Sequence, residues 1–220
     1  MFKAIIFDMD GVLVDSHPYI WYSFQKVLKE QGITFSEKDI KKYIGLSLHD
    51  QLDIWKKEHG INTYSVHEFS EKSGKIQLEH IKKEHKHDAH LHKFIKHAKE
   101  QKMKLAVATN SSRDRAEKML KLLKIEHYFD VLVTADDVVN YKPHPEMFLK
   151  AAAQLGVKPE ECIVFEDALS GIRSAKQANM KAVALVTEFH TKKELKEAHL
   201  VINDFSEIDV QLLFDLYKKE

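Results

Sequence analysis

Apolar residues along the chain follow two rhythms. Short unbroken runs, Ala4–Phe7, Leu105–Ala108, Val131–Val133, Cys162–Phe165 and Ala182–Val186, have the length of strands buried on both faces. Between them apolar residues recur at i, i+3, i+4 and i+7, as one face of a helix does. Leu91, Phe94, Ile95 and Ala98 form one such stripe, and Ala116, Met119, Leu120 and Leu123 a second. Phe148, Ala151, Ala152 and Leu155 form a third, which opens after Pro145. Strand and helix in steady alternation predict an α/β protein with a doubly wound parallel sheet and right-handed crossovers.

The alternation breaks once. From about Ser16 to the mid-80s every stripe is helical, as in Phe24, Val27 and Leu28 or Ile40, Tyr43 and Ile44. We therefore expect an all-helical insertion over residues 16–83 and a sheet domain assembled from residues 1–15 and 84–220. The second hinge falls in the charged, His-rich run Glu79–His90. A length of 220 residues, long for one domain and short for two, agrees with a core carrying one sizeable insertion.

Composition narrows the partners. Lys+Arg and Asp+Glu both number 34, so no basic surplus points to nucleic acid or an anionic membrane. Hydrophobic residues at 44% with 12 Phe can supply a core, which excludes wholesale disorder. A single cysteine excludes a disulfide scaffold and fits a reducing compartment. Asp8 interrupts the N-terminal apolar run before it could form a signal or a membrane span. The expectation is a cytoplasmic monomer acting on a small molecule.

The chemistry lies where the strands end. In open α/β sheets ligands bind beyond the carboxyl ends of the strands. Asp8-Met9-Asp10-Gly11 follows the first run and Thr109-Asn110-Ser111-Ser112 the second. Lys142-Pro143-His144-Pro145 comes after the third and Glu166-Asp167 closes the fourth. One aspartate after a strand is ordinarily a helix cap or a turn residue. Four polar groups behind successive strands are not explained by capping. Crowded carboxylates repel unless a cation lies between them, and an all-oxygen set suits Mg²⁺ rather than zinc. A hydroxyl, an amide and an ammonium around that ion are the parts needed for phosphoryl transfer. One carboxylate can be the nucleophile and a second the general acid and base.

These residues resemble the four signature motifs of the haloacid dehalogenase superfamily, in its β-phosphoglucomutase and phosphoglycolate phosphatase branch. Phe7-Asp8-Met9-Asp10-Gly11-Val12-Leu13 is similar to the first motif and Val107-Ala108-Thr109-Asn110-Ser111 to the second. Lys142-Pro143 is similar to the third and Phe165-Glu166-Asp167-Ala168-Leu169-Ser170-Gly171-Ile172 to the fourth. The resemblance implies that Asp8 is the nucleophile and Asp10 the acid and base, with the Asp10 main-chain carbonyl on Mg²⁺. It implies that Thr109 and the amide of Asn110 bind the phosphoryl group. Lys142 would neutralise that group and hold Asp8, while Asp167 completes the metal site with Glu166 in support. The helical insertion would be the cap domain. Relatives that cleave carbon–halogen bonds lack the second aspartate, so Asp10 disfavours dehalogenation.

The branch contains phosphatases and mutases. Its hexose-phosphate mutases resemble one another in a cap His and a cap Arg, and the matching positions here are Ile20 and Leu48. Without a cation to hold a second phosphate, hydrolysis is expected, with mutase chemistry as the alternative. His17 or His49 would be the nearby substitutes, and Gly45, Ser47, Lys72 and Lys75 the candidate specificity positions. A phosphoacceptor receiver would lack the insertion, and a non-catalytic binding protein would be expected to have lost a motif. The His-rich run reads as a solvated hinge, Cys162 as a buried apolar residue, and Trp21 and Trp55 as packing groups in the insertion.

Overall fold

The computed structural model describes residues 2–34, 43, 48–60, 64–84 and 88–218. The chain divides into two compact units, Met1–Val14 with His87–Glu220, and Asp15–Lys86. The larger unit holds a six-stranded parallel sheet of β1 (Ala4–Phe7), β2 (Lys104–Ala108), β3 (Val131–Val133), β4 (Cys162–Glu166), β5 (Lys181–Leu185) and β6 (Leu200–Ile202). The strand order is β3-β2-β1-β4-β5-β6. Because the connections run outward from β1 in both directions, the order reverses between β1 and β4, where such sheets bind ligands.

Three helices, α1 (His17–Lys29), α2 (Leu48–His59) and α3 (Val66–Glu84), belong to the smaller unit. The larger unit contributes α4 (Ala89–Glu100), α5 (Arg113–Leu123), α6 (Glu146–Leu155), α7 (Leu169–Gln177) and α8 (Val210–Lys218). The fold is thus an α/β Rossmann-like core with an inserted helical cap. The three helical stripes read from the sequence are all buried. β6 and α8 were not anticipated. Leu200–Ile202 follows the largely polar run Glu188–His199, which carries no helical stripe to mark a crossover before it.

The sheet's two faces are built differently. Ala4, Ile6, Ala106, Ala108, Val164, Ala182 and Ala184 pack with Phe148, Ala151 and Leu155 of α6 and Ile172 and Ala175 of α7. Small strand residues let those helices approach closely. The opposite face is aromatic. Phe7 lies in register with Phe165 and stacks on it at 5.2 Å, and Phe94 of α4 meets Phe165 at 5.3 Å and Phe205 at 5.4 Å. Asp130 accepts from the Leu105 amide at 2.8 Å and from Lys99, which ties β2, the approach to β3 and α4 together.

The helical unit has a core of its own. Phe24, Val27, Leu28, Tyr43, Leu52, Trp55 and Phe69 are buried together, with Trp55 5.8 Å from Phe24 and 5.5 Å from Tyr43. α3 begins with a capping box: the Ser65 amide donates to Glu68 at 2.9 Å, and the Glu68 amide donates back to Ser65 Oγ at 3.2 Å. Gln77 donates to Ser23 Oγ at 2.9 Å, a buried polar link between α3 and α1. Among the described residues this unit contains no strand, and among those of the whole chain no helix is long and apolar enough to cross a membrane.

Candidate active site

The ladder of β1 runs one residue past its last Phe, because the Asp8 amide still donates to the Phe165 carbonyl at 2.9 Å. The chain then folds back sharply. The Met9 carbonyl accepts from Leu13 and Val14, and the Gly11 amide donates to the Val14 carbonyl at 2.8 Å. Gly11 has φ +81°, a conformation that glycine adopts without steric penalty. This turn keeps Asp8 and Asp10 together at the carboxyl edge of the sheet. One strand away the Thr109 amide pairs with the Val133 carbonyl, and Thr109 Oγ1 accepts from the Ser111 amide at 3.1 Å.

Lys142 arrives on the loop between β3 and α6. Glu146 accepts the amides of Val139 and Asn140, and Ser174 of α7 donates to the His144 carbonyl at 2.7 Å, so this loop is fixed on both sides of the lysine. Lys142 Nζ donates to Asp8 Oδ1 at 2.6 Å, to Glu166 Oε1 at 2.6 Å and to the Ala108 carbonyl at 2.9 Å. Its three N–H groups are all used. Glu166 accepts at its other oxygen from the amides of Asp167 (3.1 Å) and Ala168 (3.2 Å).

Charge in the site is unbalanced. Four carboxylates, Asp8, Asp10, Glu166 and Asp167, face two cations, Lys142 and Arg115. Burial, reinforced by Glu166 and Asp10, pushes Asp8 up to about 7 although Lys142 pulls the other way. Burial with Glu166 and Asp8 close by raises Asp167 well above the carboxylate range. Burial works against the Lys142 ammonium, yet the Asp8 and Glu166 carboxylates outweigh it and raise its pKa. Oxygens of Asp8, Glu166 and Asp167 lie within 4.8 Å of one another, all three residues buried. An oxygen-only donor set with excess negative charge fits a hard divalent cation.

Residues 5–185 match the haloacid dehalogenase-like hydrolases. The chain belongs to that family. It is 32% identical to a phosphorylated carbohydrates phosphatase of Thermotoga maritima, over 90% of this chain and 92% of that protein. It is 28% identical to a pyrophosphatase, PpaX, of Oceanobacillus iheyensis, over 94% of each. Among solved structures, a β-phosphoglucomutase from Clostridium difficile superposes with a TM-score of 0.85 at 28% identity, over 100% of this chain and 98% of that one.

In this haloacid dehalogenase-like hydrolase, Asp8, Asp10, Thr109, Asn110, Lys142, Glu166 and Asp167 all come to one edge of the sheet. Asn110 is exposed, its side-chain oxygen 3.5 Å from the Lys142 amide. Gly45 and Ser47 lie outside the described residues, as do Ile40 and Ile44. Ile20 and Leu48 are half-buried against the core of the helical unit. Lys72 is paired with Glu30 and donates to Tyr64 at 3.2 Å, and Lys75 is paired with Glu71 one turn away.

Two contributors were not singled out from sequence. Arg115 of α5 grips Asp10, as described below, and Gly171 makes room for Glu166. A Cβ at Gly171 would sit 1.9 Å from the Glu166 carboxyl carbon. Arg115 did carry a signal: with Met119 and Leu123 it falls on the buried stripe of its helix, where a charge needs a partner.

Proposed function

We propose that the chain is a Mg²⁺-dependent phosphatase that hydrolyses a small phosphorylated metabolite, of the sugar phosphate or phosphoglycolate type, through an aspartyl-phosphate on Asp8. The observation that carries this reading is a buried Asp8 held through one oxygen by Lys142 at 2.6 Å, with a second carboxylate, Asp10, two residues on. Asp8 forms a bond to phosphorus as the bond to the leaving oxygen breaks, and Asp10 gives that oxygen a proton. In the second half Asp10 takes a proton from water, the water oxygen bonds to phosphorus, and Asp8 is released with inorganic phosphate. Thr109 Oγ1 and the Asn110 amide hold phosphoryl oxygens, and Lys142 neutralises them while fixing Asp8. Asp8, Asp167 and the Asp10 main-chain carbonyl would hold Mg²⁺, supported by Glu166. The ion would offset the surplus negative charge and that of the phosphoryl group.

Hydrolysis is favoured over phosphosugar transfer because Ile20 and Leu48 offer no cation for a second phosphate. The phosphatase and pyrophosphatase relatives agree with it, and the β-phosphoglucomutase likeness keeps mutase turnover as the competing outcome. The enzyme is taken to act as a cytoplasmic monomer, in keeping with a buried free thiol. The test is phosphate release from p-nitrophenyl phosphate and a panel of sugar phosphates, with and without Mg²⁺. Asp8→Asn is expected to abolish it. Turnover in that variant sinks the nucleophile, and isomerised product with a bisphosphate activator sinks the phosphatase reading.

A further inference from the structure

Asp10 has a cation of its own. Arg115 Nη2 donates to Asp10 Oδ1 at 2.7 Å and Nη1 donates to Oδ2 at 2.7 Å, a two-pronged contact on both oxygens. Ser111 Oγ adds a third bond, to Oδ2 at 2.9 Å. Arg115 Nη1 also reaches Ser111 Oγ, so serine, arginine and aspartate form a closed triangle. The arginine side chain is 8% exposed and the aspartate 17%. The contact is sheltered from solvent, where a planar guanidinium fork fixes a carboxylate's direction as well as its charge.

Asp10 needs such a restraint. It lies within electrostatic range of Asp8 and Asp167 and repels both. Lys142 cannot restrain it, since its three donors are spent on Asp8, Glu166 and the Ala108 carbonyl.

We propose that Arg115, seconded by Ser111, is a positioning residue for Asp10: it holds the acid/base carboxyl in one fixed direction against the repulsion of the other acids. The inference rests on the acid/base reading of Asp10 given above. Misplacing a reacting group by about 1 Å is worth on the order of 10²-fold in rate. The deficit should fall on substrates whose leaving oxygen requires a proton. An alkyl phosphate requires one, whereas p-nitrophenol departs readily as the anion.

The experiment measures kcat and KM of Arg115→Met, Ser111→Ala, Asp10→Asn and the Asp10→Asn/Arg115→Met double variant on glycerol phosphate and on p-nitrophenyl phosphate. Arg115→Met is expected to lower kcat on glycerol phosphate about 10²-fold with KM unchanged. The loss on p-nitrophenyl phosphate is expected to be several-fold smaller, and the double variant no slower than Asp10→Asn. Equal losses on the two substrates, additive losses in the double variant, or no loss would overturn the proposal. If Arg115→Met does not fold, Ser111→Ala decides alone, by the same leaving-group bias in smaller measure or by its absence. If Asp10→Asn itself retains turnover of glycerol phosphate, the acid/base reading is what has failed. If Asp10→Asn loses that turnover while Arg115→Met and Ser111→Ala keep it, only the positioning role has failed.

Discussion

Replacing Gly171 by alanine sets two known effects against each other. Inside a helix alanine is favoured over glycine by about 1 kcal/mol. Gly171 lies within α7, so propensity alone predicts a more stable protein. The added Cβ, however, would sit 1.9 Å from both Cδ and Oε1 of Glu166 and 2.4 Å from Oε2. Glu166 is 1% exposed and is held by the Lys142 ammonium and two backbone amides, so it cannot swing aside freely. Hydrogen bonds to a charged group contribute roughly 1.5–3 kcal/mol each, and losing two of them outweighs the helix gain. The net expectation is a loss of about 3 kcal/mol. At roughly 2–4 °C per kcal/mol for a chain of this size, that is a fall of about 6–12 °C in the melting midpoint. Phosphate release should fall as well, because Lys142 loses one of its two carboxylates. Thermal melts and kcat on p-nitrophenyl phosphate decide the matter. A melting point equal to or above that of the parent chain would refute the reasoning. In a Glu166→Asp background, with the carboxylate one methylene shorter, the alanine should do less harm.

Lys142→Met leaves Asp8 and Glu166 buried without their shared cation. It should lower stability by about 3–5 kcal/mol in urea titrations and remove nearly all phosphate release. Burial, with Glu161 and Glu160 adding to it, pushes the Cys162 thiol up to about 12. The thiol therefore stays protonated as pH rises through 9, and only the thiolate reacts. Native protein at pH 8 should resist iodoacetamide and urea-unfolded protein should not, as read by intact mass. Phe94→Ala removes ring contacts to Phe7, Phe165 and Phe205 and should cost about 3–5 kcal/mol of stability, with the denaturant slope unchanged.

The gathering of polar groups at the carboxyl edge of the sheet was legible because their placement is local. Asp8, Thr109 and Glu166 stand at the ends of apolar runs, and a parallel sheet brings those ends together whatever the helices do. Partnerships across the sheet were less legible. Arg115 meets Asp10 across 105 positions, and no spacing rule joins them. Gly171 reads as a weak point in a helix until the Glu166 carboxyl is seen against its Cα. The acidic pair itself divides its labour. Glu166 directs both oxygens to Lys142 and the backbone, a role that its position beside Asp167 does not reveal. β6 escaped notice for a plainer reason: the largely polar run Glu188–His199 before it carries no helical stripe, so the alternation that marks the other strands is missing there.

The placement of β1 has a consequence for the order in which the protein assembles. Ala4 lies beside Lys104 on one side and Cys162 on the other, so the strand made first gains its second neighbour only when β4 has been made. Synthesis runs from the N-terminus, and contacts between distant parts of the chain form slowly. The link between Ser23 and Gln77 closes over only 54 residues and is available much earlier. Before β4 exists, the edge of Ala4-Ile5-Ile6-Phe7 that it will cover is unpaired, next to a helical segment whose own contacts are closer in sequence. The strand that leads into Asp8 therefore carries an open apolar edge until β4 is made, and over that interval it is a place for chaperones or aggregation to act.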